Sequence, residues 1–265
     1  MSTKIRGTIS FASNCPLATV AVIHEDCDVM DLFCIVLGLP RASVKDFSPD
    51  SVISTPRSQA AEQVASLRIQ SHMIVINATN LAHSNTDSAW VAANYDYEFV
   101  YDSNLLYRKG LAHFVRMILG QGDFHDRVTA KFRTTFIALT FPNVRSALQN
   151  LDILSIGADA IELRVDLLKE PSGLDKPNNG IPFSLEYVGS QVSALRNRTE
   201  LPIVFTVHSA NEGGLFPTEA DVESHELLKK AIRWGCKYID VEARLPQSIS
   251  VKGKVLVKSF HHPMI

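Results

Sequence analysis

Three charged side chains in residues 161–168 are spaced as a chemical site on a buried strand would space them. The segment is rich in Ile, Leu and Val, which predicts a strand, and side chains along a strand point alternately to opposite faces. Glu162, Arg164 and Asp166 therefore share one face. Charges on an apolar strand are costly unless they pair with each other or meet a polar ligand. The pattern predicts either the wall of a polar small-molecule site or a structural Glu–Arg–Asp ion network.

Polar side chains also follow the later predicted strands, where ligand groups of parallel α/β proteins gather. These residues are His208, Glu212, Asp240, Glu242, Ser259, His261 and His262. A carboxylate that orients a histidine ring raises its basicity, so Glu212 and His261 form the candidate acid–base pair. Asp240 and Glu242 could equally be interior packing partners, and Gly213-Gly214 could be a simple turn. We predict no metal site, because adjacent histidines on a strand point to opposite faces.

The elements that must position these residues alternate between strand and helix. In the second half we predict strands at 134–139, 160–168, 203–208, 238–241 and 255–260, with helices at 142–149, 185–196 and 220–234. In the first half we predict strands at 17–23 and 73–77, helices at 29–37, 59–67 and 105–119, and a loop over 41–58. The alternation indicates parallel α/β architecture, either an α/β barrel or an open doubly wound sheet.

Composition limits the classes of function. The chain has 265 residues, a formal net charge of −2 and no long Lys/Arg run, so we expect no direct binding of nucleic acid or membrane. The four cysteines show neither Cys-x-x-Cys nor metal-ligand spacing, and no signal peptide is evident. We therefore expect an intracellular protein, in the cytoplasm, the nucleus or both. No Gly-x-x-x-x-Gly-Lys-Ser/Thr phosphate loop occurs.

Motifs over residues 134–265 resemble type I 3-dehydroquinate dehydratase, most closely the fungal form found in the pentafunctional AROM polypeptide and in the related quinate repressors. The motifs are Leu-Thr-Phe-Pro at 139–142, Gly-Ala-Asp-Ala-Ile-Glu-Leu-Arg-Val-Asp-Leu-Leu at 157–168, Leu-Pro-Ile-Val-Phe-Thr-Val at 201–207, Glu-Gly-Gly-Leu-Phe-Pro at 212–217 and Tyr-Ile-Asp-Val-Glu at 238–242. Residues 89–123 more weakly resemble the end of a shikimate-kinase-like domain. The resemblance implies a degenerate kinase-like α/β region over 1–125 and an incomplete (β/α)8 barrel of about five strands over 134–265.

The resemblance also implies roles for single residues. Glu162 and Arg164 would contact substrate hydroxyls, Glu212 would orient the histidine, and His261 would be the acid–base. His208 would contribute to ligand binding, although the family usually has arginine there, and imidazole lacks arginine's fork of donors. No cofactor is implied, because the family activates its substrate ketone through a lysine Schiff base.

Departures of this sequence from the family's motifs favour a regulator over an enzyme. His262 stands where the family has aspartate, and residues up to Ile265 contain no match to the family's Schiff-base lysine or to a later carboxylate-binding arginine. We therefore expect a catalytically inactive, quinate-repressor-like protein that acts on transcription by binding an activator of quinate utilisation, with quinate or 3-dehydroquinate as signals. The alternative is a truncated 3-dehydroquinate dehydratase.

Overall fold

A computed structural model describes residues 19–67, 73–82, 94–103, 107–120, 124–171, 181–242 and 257–259. Their contacts divide the chain into two compact units, residues 1–78 with 87–96 and residues 79–86 with 97–265. The predicted boundary near residue 125 stays a prediction. The compact units divide the chain earlier, because residues 97–103 and 107–118 pack within the second unit.

The first unit is built on a parallel sheet with the strand order β2-β3-β1-β4. Its elements are β1 (Thr19–His24), α1 (Cys27–Leu37), β2 (Arg41–Ala42), β3 (Val52–Pro56), a 3-10 turn (Arg57–Gln59), α2 (Ala60–Leu67) and β4 (Met73–Asn80), of which β4 runs on into the second unit. The prediction of a loop over 41–58 was wrong. Val52 and Ile53 are fully buried between neighbouring strands, and the surrounding Ser, Pro and Asp residues concealed this short strand.

The connection between β1 and α1 is short and acidic. It consists of Glu25 and Asp26, and the Asp26 carboxylate caps α1 by accepting a hydrogen bond from the Asp28 N–H at 2.9 Å. A phosphate-binding loop instead presents a row of backbone N–H groups from glycine-rich sequence. The connection therefore lacks the features of a phosphate loop, and a shikimate-kinase origin of this unit stays a prediction.

The second unit holds a parallel sheet with the strand order β10-β9-β8-β7-β6. Its elements are β5 (Tyr97–Tyr101), α3 (Arg108–Ile118), α4 (Phe124–Thr129), β6 (Phe136–Leu139), α5 (Arg145–Leu148), α6 (Leu151–Leu154), β7 (Ala160–Arg164), a 3-10 turn (Val165–Leu167), α7 (Leu185–Arg198), β8 (Ile203–Thr206), a 3-10 turn (Ala210–Glu212), α8 (Asp221–Arg233), β9 (Tyr238–Glu242) and β10 (Val257–Ser259). Each strand from β6 onward pairs in parallel with its chain neighbour, which confirms the partial (β/α)8 arrangement of about five strands. One face packs against α7 and α8 in a continuous apolar core.

Buried polar contacts attach β5 to α8. The Glu98 carboxylate is 4% exposed and accepts hydrogen bonds from Lys230 Nζ at 2.9 Å and from Trp234 Nε1 at 3.0 Å. The Thr79 hydroxyl donates a third hydrogen bond to the same carboxylate. Since an unpaired buried charge is costly, these three donors stabilise Glu98 where it lies. Residues ahead of the predicted barrel thus form part of the folded second unit.

Helix α3 packs closely on α7. The Gly110 N–H donates to Asn197 Oδ1 at 3.0 Å, and a Cβ added at Gly110 would stand 2.1 Å from that oxygen. The buried Arg196 guanidinium lies over the Phe114 ring at 5.1 Å and donates to the carbonyl of Trp234 at the end of α8. A side chain at position 110 would displace the Asn197 amide and remove its hydrogen bond to the Gly110 N–H.

We expect His113 on α3 to make the second unit sensitive to acid. Burial and the nearby Arg196 cation lower the pKa of His113 from 6.5 to about 4. A histidine with a lowered folded-state pKa does not affect stability above the unfolded pKa, and it destabilises the fold as pH falls through 6.5 toward 4. We expect the free energy of unfolding to fall by about 2 kcal/mol between pH 7 and pH 5 from this residue.

The test is urea unfolding followed by Trp234 fluorescence in a Trp90→Phe background, where Trp234 is the remaining tryptophan of two. His113→Gln should remove most of the acid sensitivity, because glutamine does not titrate. An unchanged difference between pH 7 and pH 5 in that variant would contradict the assignment.

Candidate functional site

Strand β7 ends sooner than its sequence predicts. The strand stops at Arg164, and a 3-10 turn over Val165–Leu167 follows it, so the prediction of a strand to residue 168 was wrong. Arg164 Nε and Nη2 donate to the two carboxylate oxygens of Asp166 at 2.9 and 2.7 Å. In this bidentate ion pair the turn brings the side chains of Arg164 and Asp166 closer together than an extended strand would. Asp166 raises the pKa of Arg164 further above its ordinary value.

Glu162 is held by the next strand. Its carboxylate accepts a hydrogen bond from the Thr206 hydroxyl on β8 at 2.8 Å. Thr206 is fully buried, whereas Glu162 is half-buried. Sequence reasoning overlooked Thr206, although alternation along the predicted strand already placed it on the same face as His208. One carboxylate oxygen of Glu162 is thereby fixed near the end of β7.

His208 lies just beyond β8 and pairs with β9. Its Nε2 atom is 2.9 Å from Asp240 Oδ2, and both side chains are largely buried. The hydrogen bond to Asp240 raises the pKa of His208 above 6.5, and this effect exceeds the opposing effect of burial. Asp240 is therefore the histidine's partner and not a freely available base.

The loop after β8 is anchored by carboxylates from two neighbouring elements. Glu242 on β9 accepts a hydrogen bond from the Ser209 N–H, and Asp166 accepts one from the Leu215 N–H at 3.3 Å. The Phe216 N–H donates to the His208 carbonyl at 3.1 Å and closes the loop on itself. Glu212 therefore lies in a loop that is tied down at both ends.

The two glycines of this loop have different roles. Gly213 adopts a left-handed conformation with φ +77° and ends the 3-10 turn. Gly214 packs directly on the backbone, since a Cβ there would stand 2.0 Å from the His208 carbonyl oxygen. The interpretation of this pair as a turn is correct for Gly213. Position 214 requires glycine because the His208 backbone lies too close for a Cβ atom.

Six charged residues form what we call the strand-end cluster: Glu162, Arg164, Asp166, His208, Asp240 and Glu242. Four are carboxylates, against one permanent cation and one histidine. Each carboxylate has a partner within the unit, namely the Thr206 hydroxyl, Arg164, His208 or the Ser209 N–H. Of the two interpretations of residues 161–168, ion pairing is thus present between Arg164 and Asp166.

The predicted site residues are only partly assembled in the described region. Glu162, Arg164 and His208 gather at the strand ends, and Glu212 is half-buried in the anchored loop. His261 and His262 lie outside the described residues, so the Glu212–His261 pair stays a prediction, as do the substrate-binding roles. Among the described residues, no group of three His, Cys, Asp or Glu side chains is placed to hold a metal ion.

Part of the chain matches a known protein family. Residues 135–261 match the profile of the type I 3-dehydroquinase family. This stretch is a type I dehydroquinase-like domain. The pentafunctional AROM polypeptide of Schizosaccharomyces pombe is 40% identical over 143 residues, which are 54% of this chain and 9% of that polypeptide.

Solved structures include the dehydroquinate dehydratase and shikimate dehydrogenase portion of S. pombe AroM, at 41% identity and a TM-score of 0.44, covering 47% of this chain and 23% of that one. The carboxyl transferase domain of Rhizobium etli pyruvate carboxylase is 18% identical with a TM-score of 0.24, covering 70% of this chain and 30% of that one. At TM-scores below 0.5, neither superposition supports an inference about this chain.

Proposed function

We propose that this chain is a catalytically inactive, quinate-repressor-like regulator, which senses a pathway metabolite with its dehydroquinase-like domain and binds an activator of quinate-utilisation genes. The observation that carries the proposal is the His208–Asp240 pair. Where the family resemblance leads one to expect arginine, the dehydroquinase-like domain has an imidazole whose Nε2 is bound to Asp240. An imidazole so engaged cannot present the planar fork with which arginine binds an oxyanion.

The remaining cation of the strand-end cluster supports the same proposal. Arg164 directs two of its donors at Asp166, so less of its hydrogen-bonding capacity is available to a ligand. Such a site suits recognition of a hydroxylated ligand better than stabilisation of charge that develops during a reaction. Action on transcription through a protein partner would place the chain in the cytoplasm or the nucleus. Among the described residues, no helix has the length and apolar character needed to cross a membrane.

The first test measures turnover by the purified full chain. We expect no conversion of 3-dehydroquinate above the buffer blank, followed through the ultraviolet absorbance of the enone product. The S. pombe AROM dehydroquinase domain serves as the positive control. Measurable dehydration that disappears in His261→Ala would overturn the inactive assignment.

The second test addresses the partner. The full chain should retain a purified fungal activator of quinate genes in a pull-down, whereas the S. pombe AROM dehydroquinase domain should not. Addition of quinate or 3-dehydroquinate should change the amount retained. Equal retention by both proteins, or by neither, would remove the regulatory proposal.

The alternative function is a dehydratase, and the survival of Glu162 and Arg164 at the end of β7 favours it. In a protein that includes the Schiff-base lysine, borohydride reduction in the presence of 3-dehydroquinate distinguishes the two, since it traps a lysine imine as a stable adduct detectable by mass spectrometry. Genomic sequence after Ile265 that encodes a lysine-bearing sixth strand would also favour the enzyme.

A further inference from the structure

His208 is surrounded by charges from both neighbouring strands. Asp240 approaches it from β9, and Arg164 and Asp166 act on it from the end of β7 and the following turn. Glu162, Glu242 and Glu212 carry the other charges on the surrounding elements. About an eighth of the His208 side chain is exposed, so its protonation state can respond to a ligand at the strand ends.

The net charge of the strand-end cluster depends on this one histidine near neutral pH. Four ionised carboxylates and Arg164 give −3 when His208 is neutral, and −2 when it is protonated. A negatively charged ligand whose hydroxyls meet the cluster is therefore repelled less by the protonated form. Histidine is the side chain whose charge ordinarily changes in this pH range.

We propose that the strand-end cluster binds an anionic hydroxy acid together with a proton, which His208 holds between Asp240 and the ligand. The inference rests on the proposed function, in that this site is taken to bind a pathway metabolite. A permanent arginine charge would lessen that repulsion equally at every pH. The histidine instead makes affinity a function of pH, so this chain would report acidification as well as metabolite concentration.

The sign and size of the effect follow from linkage. The bond to Asp240 already raises the pKa of His208 above 6.5, and a bound anion raises it further. Binding is therefore strongest at pH values below the pKa of His208 in the free protein, and it weakens as the pH rises through that value. For one added charge in a partly solvated site, we expect about tenfold tighter binding at pH 6 than at pH 8.

Calorimetric titration of the full chain with quinate tests this, because the quinate carboxylate stays ionised from pH 6 to pH 8. Titration at pH 7 in phosphate and in Tris should show different apparent enthalpies, reporting proton uptake. His208→Gln should bind equally weakly at both pH values, and His208→Arg should bind equally at both pH values but more tightly. His225→Gln, a histidine change on α8 outside the cluster, should keep the wild-type dependence.

Several outcomes would overturn the inference: no quinate binding at either pH, affinity independent of pH, or a pH dependence that persists in His208→Gln. The last would assign the proton to another group, such as His261 or His262. Failure of the regulatory proposal is seen elsewhere, in turnover or in absence of activator capture. Proton-linked quinate binding with no activator capture would support this inference and contradict the proposed regulatory function.

Discussion

Replacing Asp166 with alanine should lower the free energy of unfolding of the second unit by about 3 to 5 kcal/mol. The Asp166 side chain is completely buried and accepts both hydrogen bonds of the Arg164 fork. Its removal leaves a largely buried guanidinium without its partner, and it also removes the acceptor of the Leu215 N–H. Breaking one side of a buried ion pair costs far more than the pair contributes in net terms.

Two further variants make this measurement decisive. Asp166→Asn keeps the size of the side chain and loses its charge, so we expect about half the loss. Asp152→Ala breaks an exposed ion pair with Arg198 and should cost less than about 1 kcal/mol. Urea unfolding followed by Trp234 fluorescence in the Trp90→Phe background gives all three values. Equal losses in the free energy of unfolding for Asp166→Ala and Asp152→Ala would show that the buried pair stabilises the fold no more than the exposed pair does.

The second large effect concerns Gly214. A Cβ at this position would stand 2.0 Å from the His208 carbonyl oxygen and 2.4 Å from its carbon, and both are backbone atoms that cannot simply rotate away. Gly214→Ala should therefore open the loop and lower the free energy of unfolding by about 3 kcal/mol. The same opening would displace His208 and weaken any ligand binding at the strand ends.

Gly213→Ala is the matched control one residue away. Its added Cβ would meet nothing within 4 Å, so its cost is the left-handed conformation alone, about 1 kcal/mol. We expect the order wild type, Gly213→Ala, Gly214→Ala in decreasing stability, measured by thermal and urea unfolding. The reverse order of the two variants would contradict the packing described for this loop.

Sequence alone predicts the strand–helix alternation of the second unit well, because each strand from β6 to β9 carries a compact run of apolar residues. It fails where tertiary contacts decide the backbone. Nothing in Val165 or Leu167 signals that β7 ends at Arg164, since valine favours strands and leucine does not interrupt them. The turn accompanies the pairing of Arg164 with Asp166 and the contact between Asp166 and the loop after β8.

The candidate site likewise combines features that the sequence predicts with contacts that only the tertiary structure determines. Alternation along a strand predicts that Glu162 and Arg164 share a face, and it also identifies Thr206 once that face is known. The His208–Asp240 pair joins residues 32 positions apart and needs the register of β8 on β9. The Ser209 and Leu215 contacts use backbone N–H groups, which carry no signature in the sequence.

The attachment of β5 to α8 has a consequence for how this chain can change over evolutionary time. Glu98 lies ahead of the stretch that matches the dehydroquinase family, while its partners Lys230 and Trp234 lie within it. A mutation at Glu98 removes the acceptor that Lys230 and Trp234 share, and a mutation at Lys230 or Trp234 removes one of its donors, so the two segments are expected to be inherited and to drift together. Recombination that joined this dehydroquinase-like stretch to a foreign upstream segment would have to replace that buried acceptor as well.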